Sequence, residues 1–68
     1  MSDHVYKTVE ITGTSPDGVQ QAIDRALAKA SETLRNIDWF EVTEIRGALV
    51  EGATHYQVTL KIGFRLEG

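Results

Sequence analysis

A single α+β domain of β-α-β-β order is predicted for this chain by three observations. The first segment alternates polar and apolar residues, a helical stripe of small and aliphatic residues follows it, and a long closing segment alternates without a break. Nothing in the 68 residues marks a linker, a repeat or a second unit, so the whole span 1–68 is read as one domain.

From Val5 to Thr12 the apolar Val5, Val9 and Ile11 fall on one side and Tyr6, Thr8, Glu10 and Thr12 on the other, the period of a strand. Gly13-Thr14-Ser15-Pro16-Asp17-Gly18 then carries helix-start chemistry, with Ser15 as N-cap, Pro16 at the first helical position and Asp17 in the first turn. Val19, Ala22, Ile23, Ala26, Leu27, Ala30 and Leu34 recur at spacings of three and four, which predicts a helix ending near Arg35. Arg35 would there complement the helix dipole, and the alanines would let the helix lie close to a sheet.

A second strand is predicted from Trp39 to Leu49. Its apolar set changes phase, from Phe40 and Val42 to Ile45 and Leu49, as a bulge or a second buried face would require. Glu51-Gly52 marks a turn, and His55 to Leu66 forms the third strand, with Tyr56, Val58, Leu60, Ile62, Phe64 and Leu66 on one face. The last two strands form a hairpin and the first joins them through the helix, so the third strand is expected at the centre with the helix over its apolar face.

Composition narrows the function. There is no cysteine, so neither a disulfide nor a soft metal site can support the thin core of so small a chain, and self-association is the expected compensation. Seven basic against ten acidic residues, a net charge of −3, argue against nucleic acid as a partner. No stretch has the length of a membrane span, and the polar start from Met1 to His4 lacks the layout of a secretory signal, so a cytoplasmic protein without a membrane partner is expected. His4 and His55 have no acidic or sulfur partner at metal or triad spacing, and the carboxylates of Asp17, Asp38, Glu41 and Glu44 fit caps and solvated positions. Neither a catalytic group nor a metal site is therefore expected.

What remains is an aromatic. Trp39 and Phe40 are neighbours in a strand and must face opposite ways. With Phe40 inward beside Val42, Trp39 lies outside its own core, on the face that also bears Gln57. An indole there can pack in an interface, or stack on a planar heteroaromatic ligand whose edge Gln57 hydrogen-bonds. Arg46 and Arg65 are candidates for neutralising a phosphate, and Gly63, inside a regular strand, marks a bulge or a close approach of another backbone.

Val5-Tyr6-Lys7, Gly13-Thr14-Ser15, Asp38-Trp39-Phe40-Glu41-Val42, Ile45-Arg46-Gly47, Tyr56-Gln57-Val58 and Gly63-Phe64-Arg65-Leu66-Glu67 together resemble the dodecins, in order and spacing, over nearly the whole chain. The resemblance implies a hollow homododecamer of β-α-β-β subunits, each a three-stranded antiparallel sheet wrapped around one helix. It further implies non-enzymatic storage or buffering of a flavin, FMN or riboflavin, bound between subunits. By motif position Trp39 would stack on the isoalloxazine, Gln57 would hydrogen-bond it, and Arg46 would meet the FMN phosphate. Some bacterial members also bind coenzyme A, for which Tyr6, Lys7 and Arg65 are the candidates here. The alternative is an oligomeric scaffold in which Trp39 is interface packing.

Overall fold

In the computed structural model, which describes residues 3–67, four elements follow one another. They are strand β1 (Tyr6–Ser15), helix α1 (Val19–Ala30), strand β2 (Ile37–Val50) and strand β3 (Ala53–Arg65). The three strands form one antiparallel sheet in the order β1-β3-β2, with β3 at the centre as the connection rule requires. Of the polar start, Met1 and Ser2 lie outside the described residues.

The core is where the two apolar periodicities meet. Ala22, Ala26 and Ala30 of α1 are buried against Val58, Leu60 and Ile62 of β3, and Val9, Ile11, Ile23, Leu27 and Leu34 pack around them. Gly13 of β1 is buried under the helix, because a methyl group there would run into the Ala22 carbonyl and lie 2.8 Å from the Ala26 Cβ. Small residues on both elements thus set a short helix-to-sheet distance.

The helix starts later and ends earlier than its sequence predicts. Ser15 is not its N-cap: β1 extends to Ser15 by pairing with Tyr56, and the Ser15 Oγ instead accepts the Asp17 N–H at 3.0 Å. Gly18, at φ 153°, is the N-cap, so Pro16 and Asp17 lie outside the helix. At the other end α1 stops at Ala30, capped by Ser31, whose N–H and hydroxyl both donate to the Leu27 carbonyl. Lys29 stands in the last turn where Arg35 was expected. Asn36, in the left-handed region at φ 62°, turns the chain into β2.

The phase change in β2 is a bulge. The register slips between Val42 and Glu44, so that Val42 faces Leu60 and Ile45 faces Val58 on the helix side. A second slip between Ile37 and Trp39 leaves Asp38 as an extra residue. The hairpin closes in two residues, Glu51 and Gly52, both at positive φ (51° and 81°), as a tight turn matched to strand twist demands. Val5 corrects another expectation. It precedes β1 and is 66% exposed, its carbonyl accepting the Leu66 N–H.

α1 packs mainly on β1 and β3, and beyond Ile37, which joins the core, the helix-side face of β2 is left largely exposed. Phe40, Val42, Ile45 and Leu49 share that face and are 45%, 37%, 56% and 79% exposed. Phe40 and Val42 point inward as expected, but both stay exposed within the single chain.

Candidate functional site

The face of the sheet away from the helix carries Tyr6, Thr8, Glu10, Thr12 and Thr14 of β1 and Gln57, Thr59, Lys61, Gly63 and Arg65 of β3. Trp39, Glu41, Glu44 and Arg46 complete it from β2, by their pairing with Gly63, Lys61, Thr59 and Gln57. The Asp38 bulge sets this register at Trp39, so the indole projects to the open side while Phe40 beside it turns toward Ile62.

Trp39 does not stand free. Its ring lies across Gly63 of the central strand: a Cβ built on Gly63 would come within 2.5 Å of the indole Nε1 and closer still to Cζ2 and Cε2. The fusion carbon Cε2 would be nearest of all, which places that point over the ring face, since an approach in the ring plane would meet Nε1 and Cζ2 first. One face of the indole therefore rests on the backbone of β3 and buries Gly63, while the other faces outward and the residue stays 40% exposed. The close approach foreseen at Gly63 is by an indole and not by another backbone.

A hydroxyl and a carboxylate flank this ring. The Tyr6 hydroxyl of β1 donates to Asp38 Oδ2 of β2 at 3.1 Å, spanning β3 across two interstrand spacings, about 9.6 Å. The hydrogen bond to Asp38 raises the Tyr6 phenol above its ordinary 10.0; slight desolvation and the Asp38 charge push the same way, and the Arg65 charge opposes them. His4 meets the Tyr6 ring edge-on at 6.4 Å. Tyr6, Asp38, Trp39, Gly63 and Arg65 thus form one cluster at one end of the open face. Sequence pattern reads Asp38 only as a cap or solvated carboxylate and Gly63 only as a close approach without its partner, because the bulged register at Asp38 is what pairs Trp39 with Gly63.

Gln57 and Arg46 sit elsewhere. They are directly opposite one another, and the Arg46 Nε–H donates to Gln57 Oε1 at 2.5 Å. Gln57 is six residues along β3 from Gly63, about 20 Å at the rise of a strand. Within one chain, then, Trp39 and Gln57 share a face but stand at opposite ends of it. Lys7 pairs with Phe64, which puts it on the helix side, away from Tyr6 and Arg65.

Between the two ends the open face is polar. Lys61 and Glu41 form an exposed ion pair at 3.6 Å, and the Thr12 and Thr59 hydroxyls are 2.9 Å apart. Hollows of about 370 Å³ and about 310 Å³ lie between α1 and β1 and border neither Trp39 nor Gln57. Among the described residues no three His, Cys, Asp or Glu side chains are grouped to hold a metal, and no helix is long and apolar enough to cross a membrane.

The arrangement as a whole has known counterparts. A model of the dodecin family matches residues 5–67. A dodecin of Thermus thermophilus is 59% identical over 64 residues, 93% of each chain. The solved dodecin structure from Streptomyces coelicolor superposes with a TM-score of 0.92 at 56% identity, covering 100% of this chain and 99% of that one. That from Streptomyces davaonensis gives 0.91 at 54% identity, over 98% and 100%. With the motif blocks in order, the strand order and the match over nearly its full length, this chain belongs to the dodecin family.

Proposed function

We propose that the protein binds a flavin between copies of itself, as a store or buffer and not as an enzyme. The observation that carries this is the outward indole, seated on Gly63 with one ring face covered by its own sheet and the other open. An aromatic ring presented flat is a stacking platform for a planar heterocycle. The donor chemistry fits as well: with Gln57 Oε1 engaged by Arg46, the amide NH₂ is turned to donate to a carbonyl or ring nitrogen at the ligand's edge. The Arg46 guanidinium keeps further N–H groups for a phosphate, which would favour FMN over riboflavin.

Magnitudes make this a site of the assembly. A stacked aromatic pair is worth about 0.5 to 1.5 kcal/mol beyond the area it buries, whereas nanomolar affinity needs about 12 kcal/mol. One half-open indole cannot hold the ligand, and in the same chain Gln57 stands about 20 Å along β3 from the indole's seat at Gly63, beyond the reach of a single isoalloxazine ring. A flavin touching both Trp39 and Gln57 must draw them from different copies, which would enclose it on both ring faces. The exposed apolar residues of β2 offer those copies a surface to meet on, and the family resemblance supports an assembly of twelve. When bound, the flavin supplies only its ring system and colour; the chain stacks on it, hydrogen-bonds it and excludes water.

Titrating FMN into the purified protein tests the reading, with emission followed alongside native mass. The expected result is a yellow complex with strongly quenched flavin fluorescence, because an electron-rich indole lies against the ring. A Trp39→Ala variant of unchanged native mass should weaken FMN by at least about tenfold and lose most of the quenching. Equal affinity and equal quenching in that variant would refute the stacking role. The second reading, a scaffold whose shell is its function, is favoured by the stripe Phe40, Val42, Ile45 and Leu49. It predicts a colourless oligomer indifferent to FMN.

A further inference from the structure

We propose that Gly63 and the Tyr6–Asp38 hydrogen bond are positioning devices that fix the plane of the Trp39 indole before any ligand arrives. The inference rests on the flavin reading for its purpose and on the geometry alone for its mechanics. Gly63 does not have the positive φ of Gly18 and Gly52, so its backbone would accept any side chain. What forbids one is the ring. A single methyl group would occupy the space over Cε2 and lift the indole off the sheet. Gly63 is buried although it lies on the face away from the helix, and the indole is what covers it.

The second pin acts on the backbone that carries the ring. Asp38 is the extra residue of the bulge immediately before Trp39, and a bulged residue has lost its ladder partner. Its carboxylate is held from the far edge of the sheet by the Tyr6 hydroxyl at 3.1 Å. The bond fixes the bulge, the bulge fixes the direction of the Trp39 Cα–Cβ bond, and the glycine seat fixes the ring. A stacking group locked by its own chain loses no rotamer freedom when it binds, so the platform is preformed. Tyr6 and Gly63 are therefore positioning residues for the indole and need not touch the ligand.

Because Trp39 is the only tryptophan in the chain, its optical signals report the ring directly and without ligand. The experiment compares wild type, Gly63→Ala and Tyr6→Phe by near-ultraviolet circular dichroism of the indole, acrylamide quenching of its fluorescence, native mass and FMN titration. Gly63→Ala is expected to lose the indole dichroism, admit acrylamide more readily and weaken FMN about tenfold, the scale of one lost aromatic stack. Tyr6→Phe keeps the ring and removes the hydroxyl, and should move the same signals less, weakening FMN about threefold. Indole signals and FMN affinity unchanged in Gly63→Ala would overturn the proposal; if that variant does not assemble, unchanged indole signals in Tyr6→Phe would do so. A wild type that ignores FMN while both substitutions still shift the indole signals would remove the flavin reading and leave the positioning intact.

Discussion

The Tyr6–Asp38 pair has a consequence in solution that depends on no ligand. The Asp38 carboxylate accepts from the protonated phenol and repels the phenolate, so the folded protein holds the Tyr6 proton more tightly than the unfolded chain does. A raised acid pKa stabilises the fold fully below the unfolded value near 10.0, and that contribution is lost as pH rises through the higher folded value. In a Tyr56→Phe background, which leaves Tyr6 as the only tyrosine, alkaline absorbance titration should show a phenol ionising later than a free one. Adding Asp38→Asn should bring it down toward the ordinary value; a Tyr6 phenol that titrates identically with and without that substitution would show the bond to be absent in solution. At this scale the outward Trp39 was legible, because two adjacent aromatics in a strand cannot share a face. The clasp was not, and Gly63 was legible only as a close approach of unknown partner, since nothing in a linear pattern shows which residue of β3 lies opposite position 39 once a bulge has shifted the register.

Between elements, spacing decides. Gly13 is where α1 comes nearest to β1: a Cβ there would lie 2.8 Å from that of Ala26 and closer still to the Ala22 carbonyl oxygen. Gly13→Ala must push the helix outward and strain the contact of Ala22 and Ala26 with β3, an overpacking cost of about 1 to 3 kcal/mol. Gly47 is the internal control. A Cβ there meets its nearest neighbours, the His55 carbonyl oxygen and the Thr54 methyl, at 3.9 Å, so Gly47→Ala should stay within about 0.5 kcal/mol of wild type. Denaturant unfolding of the two variants separates the predictions, and equal midpoints would mean that the helix is not held by this contact. Periodicity alone had located the helix, its stripe and its alanines. Its ends were misplaced because cap chemistry is a local preference: the ladder to Tyr56 draws Ser15 into β1, and the left-handed Asn36 turns the chain before Arg35 can extend α1.

A free chain of this shape is poorly buried. The molecule measures 53 × 20 × 14 Å with a radius of gyration of 14.0 Å, against about 11 Å for a compact domain of 68 residues. Its accessible surface of 4913 Å² exceeds the roughly 4,200 Å² expected for its mass. The excess belongs to the long β2–β3 hairpin, whose helix-side residues Ile45 and Leu49 are 56% and 79% exposed. Lack of cysteine and small size had already pointed to self-association, whereas a candidate surface for it became visible only when α1 was seen to pack mainly on β1 and β3. Ile45→Asp distinguishes a subunit contact from an idle surface. In an isolated chain a charge at an exposed position changes stability by no more than about 0.5 kcal/mol, whereas burying that isoleucine against a neighbouring copy is worth about 1.5 to 3 kcal/mol at every repeated contact. The variant should sediment as a smaller species, lose the concentration dependence of its melting temperature and bind FMN weakly, because Trp39 and Gln57 would no longer meet across chains. Wild-type sedimentation in Ile45→Asp would exclude this face as the place where copies join.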